Sequence, residues 1–163
     1  MTFREQLVRL NACEEAREWV GDRDIESAWS ECERGDWMMW LAGCVDVDRV
    51  LVVDAACDCA ALAAAKVKDA AMRESIERVI DLTRRYVRGE VTWVVVAKAR
   101  HAMWAAVVAA ADAAAYAAAD AAAAAVYASR VVGHPAVCSA IRARIPVEII
   151  KAALAAKESS DGR

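Results

Sequence analysis

The groups in this chain best suited to chemistry are a pair of aspartates, six cysteines, two histidines and a knot of tryptophans. Asp54 and Asp58 stand one helical turn apart in an apolar run. Paired carboxylates can share a proton or hold a divalent cation, but no third or fourth oxygen ligand stands near them in sequence. Pairing with Arg or Lys from a neighbouring helix is the expected role. Cys13, Cys32, Cys44, Cys57, Cys59 and Cys138 form no C-x-x-C, and His101 and His134 lie far apart, so no chelating pair nucleates a zinc site. Most of these thiols sit among apolar residues, where reduced Cys behaves as a small hydrophobe. A Gly-rich phosphate loop, a G-x-S-x-G elbow and an H-E-x-x-H helix are all missing from the sequence. Neither an enzyme nor a cofactor is expected.

Two constellations have the character of contact surfaces. Arg34-Gly35-Asp36-Trp37-Met38-Met39-Trp40-Leu41 concentrates Trp, Met and Arg at a helix corner, the residue types that dominate binding hot spots. Burying a Trp removes about 150–250 Å² from water, worth about 4–6 kcal/mol, so core packing is the expected role of Trp37 and Trp40, with Asp36 as a helix cap. The second constellation is His101, Asp112, Tyr116, Asp120 and Tyr127 on one side of the Ala-rich segment, where a four-residue step places Asp112, Tyr116 and Asp120 along one slowly winding ridge. Arg34, Asp36, Trp37, Trp40, His101, Asp112, Tyr116 and Asp120 are therefore the candidate partner-binding residues. Arg84, Arg85 and Arg88 form a basic patch whose position also complements a helix dipole; three arginines do not make a nucleic-acid site.

The elements that position these groups are well punctuated. Thr2 and Glu5 have capping-box spacing, and a first helix is expected to run to about Val20 and stop at Gly21. Asp24 caps a second through Ala28, Trp29 and Cys32, and Asp36 a third from Trp37 to Ala42, ending at Gly43. Asp46 or Asp48 opens a fourth that is apolar almost all round, a property of helices in the middle of a bundle. The fifth, about Asp69 to Arg88, is amphipathic and closes at Gly89. From Thr92 to Val132 neither Gly nor Pro interrupts. Unbroken, this stretch would span about 60 Å against a domain diameter of about 40 Å, so a break near Lys98 to His101 or near Val108 to Asp112 is expected. Pro135 then starts a helix to Arg144, and Pro146 one from Val147 to about Lys157.

Forty of 163 residues are Ala, six Gly and two Pro, and 21 Lys or Arg face 24 Asp or Glu for a net charge of −3. Turn-rich β folds and general attraction to nucleic acid or anionic membrane are excluded on those counts. Asp112 and Asp120 also make the Ala-rich stretch too costly for a bilayer. The expectation is an all-α protein, a compact bundle of about seven to eight helices with an Ala-rich central or long helix. One domain over residues 1–157 and a flexible tail over 158–163 are expected. The start lacks the charged-then-apolar order of an export signal, so a reducing cytoplasm is the expected home.

Several stretches together resemble the alanine-rich immunity-protein family of bacteria and phages, the immunity-protein-five-like domain. They are Asn11-Ala12-Cys13-Glu14-Glu15-Ala16 with Trp19, Ala28-Trp29 with Cys32, the Arg34 to Leu41 corner, Ala55-Ala56-Cys57-Asp58-Cys59-Ala60, the Ala/Asp/Tyr tract, and Arg144-Ile145-Pro146-Val147-Glu148-Ile149-Ile150. The corner is the specific part. Val147 stands where the family pattern has an aromatic residue, and the tract carries fewer tyrosines. The resemblance implies a non-enzymatic inhibitor that neutralises a toxin or defence effector by direct protein–protein binding, without catalytic residues. Two alternatives stay open: a phage counter-defence protein sequestering a small signalling molecule, for which Arg84, Arg85, His101 and the tryptophans suit phosphate and base, and a structural homo-oligomer, a homodimer paired through the Ala-rich helix.

Overall fold

A computed structural model describes the backbone of residues 1–110 and 134–161, and side chains over 1–103 and 134–160. Among the described residues there are nine helices and no strand: α1 (Phe3–Arg9), α2 (Glu14–Val20), α3 (Ile25–Glu31), α4 (Gly35–Cys44), α5 (Arg49–Ala64), α6 (Ala70–Val87), α7 (Trp93–Ala110), α8 (His134–Arg144) and α9 (Val147–Asp161). No helix among them is long and apolar enough to cross a membrane.

Local chemistry sets most of the starts. Thr2 and Glu5 close a reciprocal capping box on α1, and Asp24, Asp48 and Asp69 each accept a backbone N–H at the start of α3, α5 and α6. The ends hold the surprises. The first expected helix is two, because Asn11 takes a left-handed φ of 58° and the chain closes a Schellman turn there: Ala12 N–H donates to Leu7 and Asn11 N–H to Val8. Ala12 is thereby buried beside Leu7. The same motif ends α4 at Asp46 (φ 57°), past Gly43, and α6 at Gly89 (φ 76°). Asp36 is not the cap of α4. The helix starts at Gly35, and Asp36 sits in its first turn, taken up by Arg34.

The last helix runs past Lys157 to Asp161, and Gln6 donates to Glu158 across the chain, so the expected tail from 158 is helical over its first residues. Helix α7 continues unbroken through Lys98 to His101, which removes one of the two expected break points. The other, near Val108 to Asp112, extends outside the described residues, as do Asp112, Tyr116, Asp120, Tyr127 and the Ala-rich pairing face.

Helix α5 is the centre. It packs against α6 on one side and α8 and α4 on the other. Ala55, Cys59 and Ala63 join the core formed with Met38, Val137, Ile141, Ile145 and Ile150. Cys57, Ala60 and Ala64 join a second core with Met72, Ile76, Val79, Ile80 and Met103. Side chains of one or two heavy atoms let helices approach toward the short end of the 8–10 Å range, which explains why a helix without a polar face is almost all Ala, Val and Cys.

Candidate functional site

The most chemically distinctive pair, Asp54 and Asp58, is met by arginines of two neighbouring helices, with Asp54 Oδ1 and Arg84 Nε buried and without a hydrogen bond among the described residues. Arg88 donates to Asp54 Oδ2 and Arg84 to Asp58 Oδ1, each at 2.5 Å, and Arg84 Nε stands 3.7 Å from Asp54 Oδ1. Arg144, at the end of α8, donates through Nε to Asp58 Oδ2 and through Nη2 to Oδ1 at 3.3 Å. The two carboxylates of α5 thus clasp α6 to α8. Asp54 is buried and Asp58 half-buried. Arg84 and Arg88 take part in this clasp, and Arg85 pairs with Asp81 and Glu90 at the surface. His101 is exposed on α7.

The second feature lies where α1 to α4 turn tightly on one another. A cavity of about 50 Å³ opens between them. Phe3 and Leu7 come from α1, Ala16, Trp19 and Val20 from α2, Ile25, Ala28 and Trp29 from α3, and Trp37, Met38, Trp40 and Leu41 from α4, with Cys32 after α3. Its wall is hydrocarbon and indole. Trp29 is buried, and its Nε1–H donates to the Ile145 carbonyl at 3.2 Å, so only ring carbon faces the space. Arg142 returns the favour, donating to the carbonyls of Trp29 (2.8 Å) and Cys32 at the open end of α3. These bonds fix the back wall to α8.

The mouth is built from stacked indoles and guanidinium groups. Trp19 and Trp37 meet at 6.1 Å and 59°, a tilted contact of the favourable kind. Arg34 lies over Trp37 at 4.3 Å while donating to both oxygens of Asp36 (2.9 and 2.7 Å) and to Glu15 of α2 at 3.2 Å. Its donation holds the Asp36 carboxyl below the usual range and raises the guanidinium's own pKa. Arg23 lies over Trp19 at 4.9 Å, pairs with Glu31 at 2.8 Å, and caps α2 through the Trp19 carbonyl. Trp40 is left 38% exposed, against the expectation that it is core. Trp37 is half-buried.

Arg34, Asp36, Trp37 and Trp40 are therefore brought together. Trp19, Trp29, Arg23 and Glu15 complete the same site and were not among the candidates, although Trp19 follows the small Ala16 at helical spacing. The surrounding charge is lopsided. Residues 1–36 hold ten Asp or Glu against five Arg, a net −5, while the whole chain is −3. Glu14, Glu18, Asp22 and Glu33 are exposed and unpaired among the described residues. A second aromatic row, Arg49, Tyr86, Trp93 and Arg100 with contacts of 5.6–5.9 Å, lies on the outer side of α6 and α7 beside exposed Val94 and Val95.

The thiols are inert by placement. Burial pushes Cys57 and Cys138 up to about 11 and Cys59 to about 12, from an ordinary value of 9.0. Cys13 alone is exposed among the six. Thiol labelling near pH 8 is expected to modify Cys13 first and the four buried thiols, Cys32, Cys57, Cys59 and Cys138, only on unfolding. Because their folded pKa values are raised, the stability they confer is complete below about pH 9 and is lost as pH climbs toward 11–12. Thermal midpoints recorded from pH 8 to 11 should fall accordingly, and fast labelling of Cys59 in the folded protein would contradict the burial.

No family model, curated protein or solved structure matches the chain. The functional reading rests on the residues and their geometry.

Proposed function

We propose that the protein is a non-enzymatic inhibitor that neutralises a toxin or defence effector by docking its acidic, Trp-lined corner against a basic partner protein. One observation carries this reading: an exposed tryptophan, Trp40, stands at the mouth of an apolar cavity within a segment of net charge −5. A soluble surface has no folding reason to leave an indole and an apolar hollow open, whereas interface anchors are enriched in Trp and Arg beside pockets. The unpaired carboxylates would steer a basic partner and raise its rate of encounter in a salt-dependent way. The engaged state of Asp54 and Asp58 supports contact rather than catalysis as the protein's mode of action. The resemblance to the alanine-rich immunity proteins leads to the same reading from the sequence side.

The test is capture of the partner by the tagged full-length chain at about 50 mM and about 300 mM salt, followed by titration of the partner's toxic activity. A basic protein is expected, inhibited at one-to-one stoichiometry. Glu14→Lys with Glu18→Lys should slow association about tenfold at low salt. Trp40→Ala should weaken binding about thirtyfold, about 2 kcal/mol as for a hot-spot residue, while lowering the thermal midpoint far less than Trp29→Ala. Capture of no partner at either salt, or of one indifferent to both variants, would overturn the reading.

A further inference from the structure

We propose that the aromatic row on α6 and α7 is a docking surface for a second copy of this chain, met by that copy's acidic Trp corner in a head-to-tail contact. Exposure argues first. Trp93, Val94 and Val95 open α7 with 50%, 59% and 41% of their surfaces in water, three large apolar side chains in succession before the buried Val96. The Trp93 ring is held in place: it meets Tyr86 at 5.6 Å and 57°, with Arg100 over it at 5.9 Å and Arg49 over Tyr86 at 5.8 Å. A fixed apolar patch left open and rimmed by charge has the character of a contact surface.

Charge selects the occupant. Residues 84–101 hold five Lys or Arg and one Glu, a net +4, and α7 carries Lys98 and Arg100 without one Asp or Glu. Arg84 and Arg88 are met by Asp58 and Asp54, but Arg49, Lys98 and Arg100 meet no carboxylate among the described residues. The complement is on the same chain. Residues 1–36 carry a net −5, and Asp22 and Glu33, exposed and without an ion pair among the described residues, adjoin Arg23 and Arg34 at the mouth of the corner where Trp40 is exposed. Each surface thus sets an exposed indole among charges opposite in sign to the other's.

Geometry makes the contact intermolecular. The corner is built from α1 to α4 and the row from α6 and α7, with α5 packed against both α4 and α6, so a folded copy cannot turn its own row into its own corner. Two chains of net −3 repel as whole bodies, and the approach of row to corner is the one that sets opposite charges within the range of about 8 Å over which they act at physiological ionic strength. Such a contact joins unlike surfaces, so each added copy leaves one corner and one row free, and association continues or closes a ring. The inference uses the charge of the corner and not its action on a toxin, and either can fail without the other.

The test is sedimentation equilibrium of the full chain at about 50 mM and about 300 mM salt, over concentrations from about 10 μM to about 1 mM. At low salt the mean mass should rise with concentration above that of one chain, and the apparent Kd should increase at least about tenfold at high salt. In ¹⁵N spectra of the same samples the indole N–H resonances of Trp93 and Trp40 should move with association while that of buried Trp29 stays. Asp22→Asn with Glu33→Gln disables the corner, and Lys98→Gln with Arg100→Gln the row; all four side chains are exposed, and circular dichroism melts check that both variants fold. Each double variant should associate at least about fivefold more weakly than the unaltered chain. An equimolar mixture of the two, in which an intact row meets an intact corner, should recover association that stops at two chains. A single-chain mass throughout, or an association indifferent to salt, would overturn the proposal. Loss in the row variant alone would make the contact row to row and overturn the corner as its occupant, and a mixture no more associated than its parts would overturn the head-to-tail pairing. Binding of phosphatidylserine vesicles or of a single-stranded oligonucleotide, lost in the row variant while the chain itself stays single, would overturn the second copy in favour of that partner.

Discussion

Asp54→Ala is expected to lower the thermal midpoint by about 5–10 °C. Asp54 is 5% exposed and accepts from Arg88 while Arg84 stands at 3.7 Å, so its removal strands the Arg88 guanidinium at the α5–α6 seam and leaves Arg84 with Asp58 alone. Breaking a fully buried pair costs about 3–5 kcal/mol. The side chains of Arg84 and Arg88 are 30% and 38% exposed and can turn partly to water, which places the cost nearer about 2–3 kcal/mol. At about 2–4 °C per kcal/mol for a chain of this length, the midpoint shift follows. Removing both ends tests the mechanism. Asp54→Leu with Arg88→Met leaves less charge stranded and should recover more than half of the loss, as expected when the penalty is an unpaired charge rather than a missing contact. Circular dichroism melts of the two single variants and the double variant decide it, and a single variant within about 2 °C of wild type would refute the clasp.

That clasp also marks the boundary of what a sequence reader can see. Two carboxylates one turn apart on an apolar helix announce that they need cations, because nothing else on that helix could satisfy them. Which cations is a tertiary matter. Arg84 and Arg88 come from the next helix, but Arg144 is 86 residues from Asp58 and no local pattern selects it. Helix starts were legible for the same local reason: a Thr or Asp side chain reaches its own helix's first N–H groups, as at Thr2, Asp24 and Asp69.

Helix ends were legible where Gly carried them, as at Gly21 and Gly89, or where a following Pro did, as at Arg144 before Pro146. Asn11 and Asp46 adopt the left-handed conformation with a Cβ present, which their short polar side chains tolerate. Read as ordinary polar residues, they hid one helix boundary and misplaced another. The Trp corner was visible as a composition and not as a shape. Trp37 and Trp40 are three residues apart and point to adjacent sides of α4. Whether either is covered depends on where α2 and α3 lie, and that is set by Arg34 reaching Glu15 and by Arg142 reaching the end of α3. Those two long-range arginines turn an indole-rich stretch into a cavity with a mouth.

The tryptophans of that corner should divide cleanly between folding and binding. Trp29→Ala is expected to be the most damaging single substitution in the corner, lowering stability by about 3–5 kcal/mol and the midpoint by about 10–15 °C. Three losses combine. A side chain 4% exposed leaves the core shared by Leu7, Met38, Ile141 and Ile145; the Ile145 carbonyl loses its donor; and the back wall of the cavity disappears. Trp29→Phe separates them, because it keeps much of the packing and strands only the carbonyl, at about 1–3 kcal/mol. Trp40→Ala removes a ring of similar size from a position 38% exposed and should cost about 1–2 kcal/mol, well below Trp29→Ala. Denaturant melts of the three variants would show the order Trp29→Ala, Trp29→Phe, Trp40→Ala. Partner capture by the folded fraction should rank Trp40→Ala below Trp29→Phe. A Trp40→Ala protein as unstable as Trp29→Ala would mean that its ring holds the corner together and is not there to be touched.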